Sequence, residues 1–91
     1  MKKYLVIGRM WFQKLYGNTY HSFKIIDLET GETIAINNFE YGYGEMWRHN
    51  AYTKLVKMGL VEEKDRNNHP LNKDRFVYEG IDVKREKDLA F

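Results

Sequence analysis

Cysteine is absent from the sequence, and proline occurs only once. The absence of cysteine excludes disulfide bonds and thiolate zinc sites. Because small secreted domains commonly depend on disulfides, this composition favours a cytoplasmic protein. No apolar run approaches the roughly 20 residues that span a bilayer, and Arg9 interrupts the short apolar stretch where a signal peptide would continue. We therefore expect a soluble, cytoplasmic protein without a membrane partner.

Negative charge is missing from the first part of the chain. The cations that precede the first acidic residue, Asp27, are Lys2, Lys3, Arg9, Lys14 and Lys24. The formal net charge of +2 is too small to indicate a nucleic-acid-binding protein by itself. A local excess of cations nevertheless attracts phosphate groups. Solvated lysines clustered by chance are the alternative interpretation.

The length of 91 residues indicates a single domain that spans residues 1–91. Alternating or continuous apolar patterns predict strands at 4–7, 20–28, 33–39 and 76–83. Gly8 is predicted to loosen the chain after the first strand. The apolar residues of 9–18 match neither the two-residue period of a strand nor the 3.6-residue period of a helix. This segment is predicted to form a loop or a single helical turn. Gly31 suits the positive φ of a hairpin turn, and Gly80 suggests a bulge.

One helix is predicted to start near Glu45, because a carboxylate suits the positive end of the helix dipole. Trp47, Ala51 and Leu55 recur every four residues and form an apolar stripe. Gly59 suits the position that follows a helix. The fold class is therefore α+β, a mostly antiparallel sheet of about four strands with one long helix on one face, in the order β-β-β-α-β.

Two features of this fold are left open. One helix covers only one face of the sheet, so the other face requires either the aromatic residues of 11–23 or a second subunit in a homodimer. The polar connection 62–75 is predicted to be mobile, and the charged tail 84–88 is predicted to be solvated. Leu89 or Phe91 is expected to dock back onto the domain.

Catalytic and metal sites have little support in the sequence. The histidines, His21, His49 and His69, lie in three different elements without metal-ligand spacing. His21 and Ser22 are adjacent, so on a strand they would point to opposite faces and could not share a triad. We expect no enzyme, no metal and no cofactor. A small hydrolase that uses His21 is the weaker alternative.

The richest group of candidate residues combines aromatic rings, cations and small polar side chains. Rings stack on bases and cations meet phosphates, which is the chemistry of nucleotide and single-strand recognition. We predict that Arg9 and Lys14 neutralise phosphate, that tyrosines stack on a base and that Asn18 and His21 hydrogen-bond its edge. The full candidate set is Arg9, Trp11, Lys14, Tyr16, Asn18, Thr19, Tyr20, His21, Tyr41 and Tyr43. The alternative is that Trp11 and Phe12 belong to the core.

The turn before the helix is rich in glycine and tyrosine. A glycine-rich link into a helix can direct backbone N–H groups at a phosphate. Tyr41-Gly42-Tyr43-Gly44 nevertheless lacks the third glycine of a dinucleotide-binding loop, and Glu45 would repel an anion. A tight turn whose tyrosines pack on the sheet is the alternative interpretation.

Four segments resemble those of an uncharacterised family of small hypothetical proteins of tailed bacteriophages. They are Arg9-Met10-Trp11-Phe12, the run from Tyr16 to Ser22, Tyr41-Gly42-Tyr43-Gly44 and the run from Asp82 to Leu89. The resemblance implies a phage gene expressed in the cytoplasm of a bacterial host. Small phage proteins of this size often block a host factor or sequester a signal nucleotide.

The function expected from these observations is that of a non-enzymatic phage accessory protein. It would bind a nucleotide or nucleic-acid ligand through the aromatic and basic segment, for example to sequester a host-defence nucleotide signal. The alternative is a protein-interaction module that inhibits a host defence complex, of the anti-CRISPR or anti-restriction type. It would use the same aromatic surface as an interaction hot spot.

Overall fold

A computed structural model describes residues 3–67 and 75–91. Its main elements are β1 (Tyr4–Gln13), β2 (Asn18–Asp27), β3 (Thr33–Tyr41), α1 (Met46–Lys57) and β4 (Phe76–Val83). Single turns of 3-10 helix, Glu63–Asp65 and Glu86–Leu89, follow α1 and β4. The predicted α+β class and element order are confirmed. Within the described residues, no helix has the length and apolar character required to cross a membrane.

The four strands form one sheet in the order β3-β2-β1-β4. β1 with β2 and β2 with β3 are antiparallel pairs, whereas β4 is parallel to β1. Parallel neighbours need a crossover connection, and α1 lies in the connection that leads from β3 to β4. The sheet is therefore mixed but mostly antiparallel.

The predicted loop or helical turn over residues 9–18 is wrong, because most of this segment belongs to a hairpin. β1 continues to Gln13, and the pair Trp11 and Tyr20 joins it to β2. Gly17 closes the connecting turn with a φ of 70° and donates its N–H to the Gln13 carbonyl at 2.9 Å. Apolar residues lie on both faces of this part of β1, which conceals the alternation expected of a strand.

Both ends of α1 are confirmed. Glu45 is the N-cap residue, and Gly59 follows the helix with a φ of 75°. Gly59 donates its N–H to the Val56 carbonyl at 2.9 Å and Leu60 donates to the Leu55 carbonyl at 3.0 Å. This pair of bonds is the Schellman arrangement, which satisfies carbonyls that a helix end otherwise leaves unpaired.

The core lies between α1 and one face of the sheet. The helix buries the predicted stripe, and the sheet contributes residues at alternate strand positions. The buried core residues are Tyr4, Val6, Phe23, Ile25, Trp47, Ala51, Tyr52, Leu55, Val61 and Phe76.

Tyr78 of β4 is partly buried beside this core. Burial raises the pKa of its hydroxyl, although the Arg48 guanidinium acts in the opposite direction.

Gly8 and Gly80 are paired across β1 and β4, and the indole of Trp47 lies against both. A Cβ atom on Gly8 would stand 2.3 Å from Cδ2 of Trp47, and one on Gly80 would stand 2.9 Å from Cζ2. The prediction that Gly8 loosens the chain after the first strand and the predicted bulge at Gly80 are both wrong, since the register between the strands is continuous. These glycines make room for the ring.

The predicted mobile connection 62–75 lies partly outside the described residues, and His69 lies there too. Its described beginning is held by Arg66, which donates Nε to Oε1 of Glu63 at 2.6 Å and Nη2 to Oγ1 of Thr53 at 2.9 Å. The hydrogen bond from Arg66 lowers the pKa of the Glu63 carboxyl. The residues from Glu62 to Arg66 are therefore fixed against α1.

The contact between Trp47 and the glycine pair predicts an unusual cost for a small substitution. Alanine normally stabilises a strand relative to glycine by about 0.5–1 kcal/mol. We expect Gly8→Ala instead to destabilise the protein by about 3 kcal/mol, because the new methyl group overpacks the ring. Urea unfolding measures this change, and tryptophan emission should shift as Trp47 moves. Val77→Ala, on the opposite face of β4, serves as the control. A Gly8→Ala protein as stable as the wild type would contradict this account.

Candidate functional site

Large apolar side chains are exposed at one end of the molecule, which is formed by the tip of the β1–β2 hairpin and the turn between β3 and α1. The exposed fractions are 55% for Phe12, 80% for Leu15, 72% for Tyr16, 57% for Tyr41 and 70% for Tyr43. We call these five residues the aromatic end. The end of β1, the start of β2 and the end of β3 meet here, and Gly42 donates its N–H to the Thr19 carbonyl at 3.0 Å.

A row of aromatic rings crosses the sheet beside the aromatic end, on the face opposite α1. The ring centroids of Trp11 and Tyr20 are 5.8 Å apart, and those of Tyr20 and Phe39 are 4.8 Å apart. The interplanar angles are 26° and 19°, so the rings stack on one another. Tyr20 therefore has neighbours over both of its faces. A base could stack on it only by displacing one of them.

Arg9 lies on the same face and holds the C-terminal segment, residues 84–91. Its Nη1 donates to the Ala90 carbonyl at 2.6 Å, and its guanidinium carbon lies 4.0 Å from the ring centroid of Phe91. Ser22 donates Oγ–H to the Leu89 carbonyl at 2.6 Å. The expected docking of the tail is confirmed, since Leu89 is buried. The cation predicted to neutralise phosphate is thus engaged within the chain.

His21 is fully buried under α1. Its Nδ1 lies 3.1 Å from the Gly42 carbonyl oxygen, and its Nε2 lies 3.0 Å from Nδ2 of Asn50. A carbonyl only accepts, so Nδ1 donates to Gly42, and Nε2, which faces the Asn50 amide, also lies 3.6 Å from Oε2 of Glu40. The predicted role of His21 at the edge of a base is incompatible with this position. A signal in the sequence is that His21 alternates with Phe23 and Ile25, both core residues.

The arrangement expected of His21 and Ser22 is confirmed, because the two side chains reach opposite sides of the sheet. His21 contacts Asn50 of α1, whereas Ser22 contacts the C-terminal segment. The two side chains do not form a nucleophile and base pair. Among residues 3–67 and 75–91, no group of three or more His, Cys, Asp or Glu side chains could hold a metal ion.

The other candidate residues fall into two groups. Lys14 and Tyr16 are exposed at the hairpin tip, together with Tyr41 and Tyr43 at the neighbouring turn. Asn18, Thr19, Tyr20 and Trp11 are half-buried in the sheet. Sequence reasoning missed Leu15, Phe39 and Met46, three exposed apolar residues in or beside the aromatic end. Their exposure depends on how the hairpin tip, β3 and the start of α1 lie in the tertiary structure, which no local pattern reveals.

An open cleft of about 620 Å³ lies between the β3–α1 turn and the first turns of the helix. It is lined by Tyr41, Gly42, Tyr43, Glu45, Met46 and His49. The ring of Tyr41 meets Tyr20 edge-on, with centroids 5.6 Å apart, so one tyrosine of this turn packs on the sheet as the alternative interpretation expects. Tyr43 is mostly exposed.

The geometry of the β3–α1 turn explains why position 42 is occupied by glycine. Its φ is 155°, and a Cβ atom there would stand 2.9 Å from both Cε1 of His21 and Cβ of Met46. Only glycine lets the turn wrap around the buried imidazole. The glycine-rich turn is thus shaped by His21, and Glu45 carries negative charge at the point where an anion would approach the helix.

No family model, curated protein or solved structure matches the chain. The resemblance to small proteins of tailed bacteriophages therefore stays a prediction.

The buried His21 predicts a structural effect of its removal. His21→Ala should destabilise the protein by about 3 kcal/mol, because it opens a cavity and leaves the Asn50 amide and the Gly42 carbonyl without their partner. Asn50→Ala should cost about 1–2 kcal/mol, because Nε2 of His21 loses its hydrogen bond to the amide and keeps only the Glu40 carboxylate at 3.6 Å. Chemical unfolding measures both changes. His49 lies on the exposed side of α1, the helix that also carries Asn50. The free energy of unfolding of His49→Ala should stay within about 0.5 kcal/mol of the wild-type value. Equal stabilities of the His21 and His49 variants would exclude a structural role.

The contacts of Arg9 predict that it anchors the C-terminal segment. Arg9→Ala removes the hydrogen bond to Ala90 and the contact with Phe91. Together these interactions stabilise the docked C-terminal segment by about 1–2 kcal/mol. Trypsin cleavage after Lys84, Arg85 or Lys87 should then be about tenfold faster, because local opening becomes easier. Lys14→Ala removes a cation without such contacts and is the matched control. Unchanged cleavage of the Arg9 variant would show that the segment does not depend on the guanidinium.

Proposed function

We propose that this protein is a non-enzymatic binding module that engages a protein partner through the aromatic end. The observation that carries the proposal is the exposure of five large apolar side chains, between 55% and 80%, at one end of a small domain. Exposed apolar patches on soluble proteins commonly mark interaction sites. Tyrosine and other aromatic residues are also enriched among interface hot spots.

The charges around the aromatic end support a protein partner over a nucleic acid. A nucleic-acid site needs several free cations along the path of the phosphates. Here Lys14 is exposed, but Arg9 is engaged with the C-terminal segment and Arg48 contacts the Glu45 carboxylate at 3.0 Å. Phosphate binding at this end would depend on Lys14 and on Arg48, which lies beside the Glu45 carboxylate. Burial of aromatic surface supplies the larger share of binding energy.

The identity of the partner class rests on the resemblance to small phage proteins. If the chain is a phage accessory protein, its partner is a host protein, and a host defence complex is the proposed target. Stoichiometric blocking of such a complex requires a surface and no catalytic residues. A small rigid domain that presents a compact aromatic patch suits this role.

Binding of a nucleotide is a second candidate function, and one observation favours it. An open cleft of about 1000 Å³ lies between β4 and the C-terminal segment, and its lining includes Arg9 and Lys87 beside the apolar Ile7 and Ile81. Lys87 beside an apolar floor suits a phosphate and a base, whereas Arg9 is already bound to the Ala90 carbonyl. Asp88 lines the same cleft and opposes anion binding there.

Capture of host proteins by matched variants tests the proposed function. Wild-type protein on beads should retain a discrete host protein from lysate, whereas Tyr16→Ser/Tyr43→Ser should retain at least about tenfold less, because hot-spot truncation costs about 2 kcal/mol or more. Leu28→Ser is the control, since Leu28 is also exposed but lies at the β2–β3 turn, at the opposite end of the sheet.

Equal loss of capture in the Leu28 variant would contradict a role for the aromatic end, and so would full capture by the double variant. A panel of nucleotides in a thermal-unfolding assay examines the second candidate on the same samples. Stabilisation by a nucleotide that is lost in Lys87→Ala, without host-protein capture, would replace the proposed function by nucleotide binding.

A further inference from the structure

The cleft at the β3–α1 turn combines two tyrosine rings, a thioether and a carboxylate. Tyr41 and Tyr43 line one part of the cleft, and Glu45 and Met46 line another. The two tyrosines and the glutamate are mostly exposed, so an incoming group can reach the rings and the carboxylate. The face of an aromatic ring carries partial negative charge and attracts cations. A carboxylate beside such a ring attracts them as well.

Elsewhere in the described chain, aromatic rings are commonly accompanied by an arginine. The guanidinium–ring pairs are Arg9 with Phe91, Arg48 with Trp47 and Tyr78, Arg66 with Tyr52, and Arg75 with Phe76, at 4.0 to 5.7 Å from the ring centroids. Within residues 3–67 and 75–91, no cation lies over Tyr41 or Tyr43. These two rings are therefore exposed to solvent without the partner that most other rings near α1 have.

The local charge also selects a cation. Glu45 supplies the one carboxylate among the residues that line the cleft, and its full charge opposes the roughly half positive charge of the helix N-terminus. Arg48 contacts this carboxylate at 3.0 Å, but both side chains are largely exposed. Such surface pairs contribute about 0–1 kcal/mol. The Glu45 carboxylate can therefore turn to a second cation at little cost.

The backbone around the cleft is fixed before any ligand arrives. Gly42 wraps His21, and the His21 ring is joined to Asn50 of α1. This connection ties the turn to the helix that Glu45 caps and Met46 begins. A preformed turn reduces the ordering cost of binding.

We propose that this cleft binds an arginine or lysine side chain of the protein partner, with the cation placed over Tyr43 and Tyr41 and paired with Glu45. The proposal rests on the proposed function, since it assigns one anchor of the partner to a defined part of the aromatic end. An arginine is favoured because its planar guanidinium both stacks on rings and pairs with carboxylates.

The test uses ethylguanidinium chloride as the head group of arginine and ethylurea as its neutral isostere. In amide NMR spectra of the full chain, ethylguanidinium should shift the resonances of Tyr43, Gly44 and Glu45 saturably, with a Kd of about 100 mM, as expected for one ring contact and one surface ion pair. Ethylurea at the same concentrations should produce no saturable shift.

Matched variants localise the effect. Tyr43→Leu and Glu45→Gln should each weaken ethylguanidinium binding about threefold or more, and their combination should abolish it. Tyr16→Leu, which changes the aromatic end outside the cleft, should leave it unchanged. The assignment would be overturned if ethylguanidinium gave no saturable shift, or if ethylurea gave equal shifts. It would also be overturned if ethylguanidinium still bound the double variant, or if adenosine, titrated in the same way, bound more tightly than ethylguanidinium.

The two proposals fail separately. Host-protein capture without ethylguanidinium binding would leave the aromatic end as an interface but remove the cation anchor from it. Saturable ethylguanidinium binding without any captured protein would keep the cation site and remove the protein-partner function.

Discussion

The position of Trp47 over Gly8 and Gly80 is the contact on which the architecture depends. The indole reaches the backbone of two strands because neither glycine carries a side chain there. It joins α1 to the parallel pair β1 and β4, the pairing that only a crossover can produce. Interiors tolerate little overpacking, so this contact fixes how closely the helix approaches the sheet and where its first turn lies.

The opposite face of the sheet is covered in part by the chain itself. The C-terminal segment crosses it, with Leu89 buried and Arg9 bound to the Ala90 carbonyl. A stacked row that includes Trp11 and Tyr20 covers a further part. Other apolar side chains of this face stay exposed, among them Val77 and Ile81 of β4. The largest exposed fractions, 70–80%, belong to Leu15, Tyr16 and Tyr43 at the aromatic end, which we propose as the interaction surface.

His21 links that surface to the core. Its ring is hydrogen-bonded to the Gly42 carbonyl on one side and to Asn50 of α1 on the other. The turn that carries Tyr41 and Tyr43 is therefore held by buried contacts, while the tyrosine side chains themselves remain exposed. Rigid backbone with accessible rings is the combination that gives binding energy at a small entropic cost. A structural histidine thus supports a surface in which it takes no direct part.

The sequence by itself determined the features that depend on neighbouring residues: both ends of α1 through Glu45 and Gly59, its buried stripe, the last strand and the fold class. Only the tertiary structure decided which groups the polar candidate residues contact. Arg9 meets a carbonyl 81 positions away, and His21 meets an amide 29 positions away. A charged or polar residue looks the same in a local pattern whether it faces a ligand or a distant backbone group. Only the packing of the chain determines which of these partners it meets.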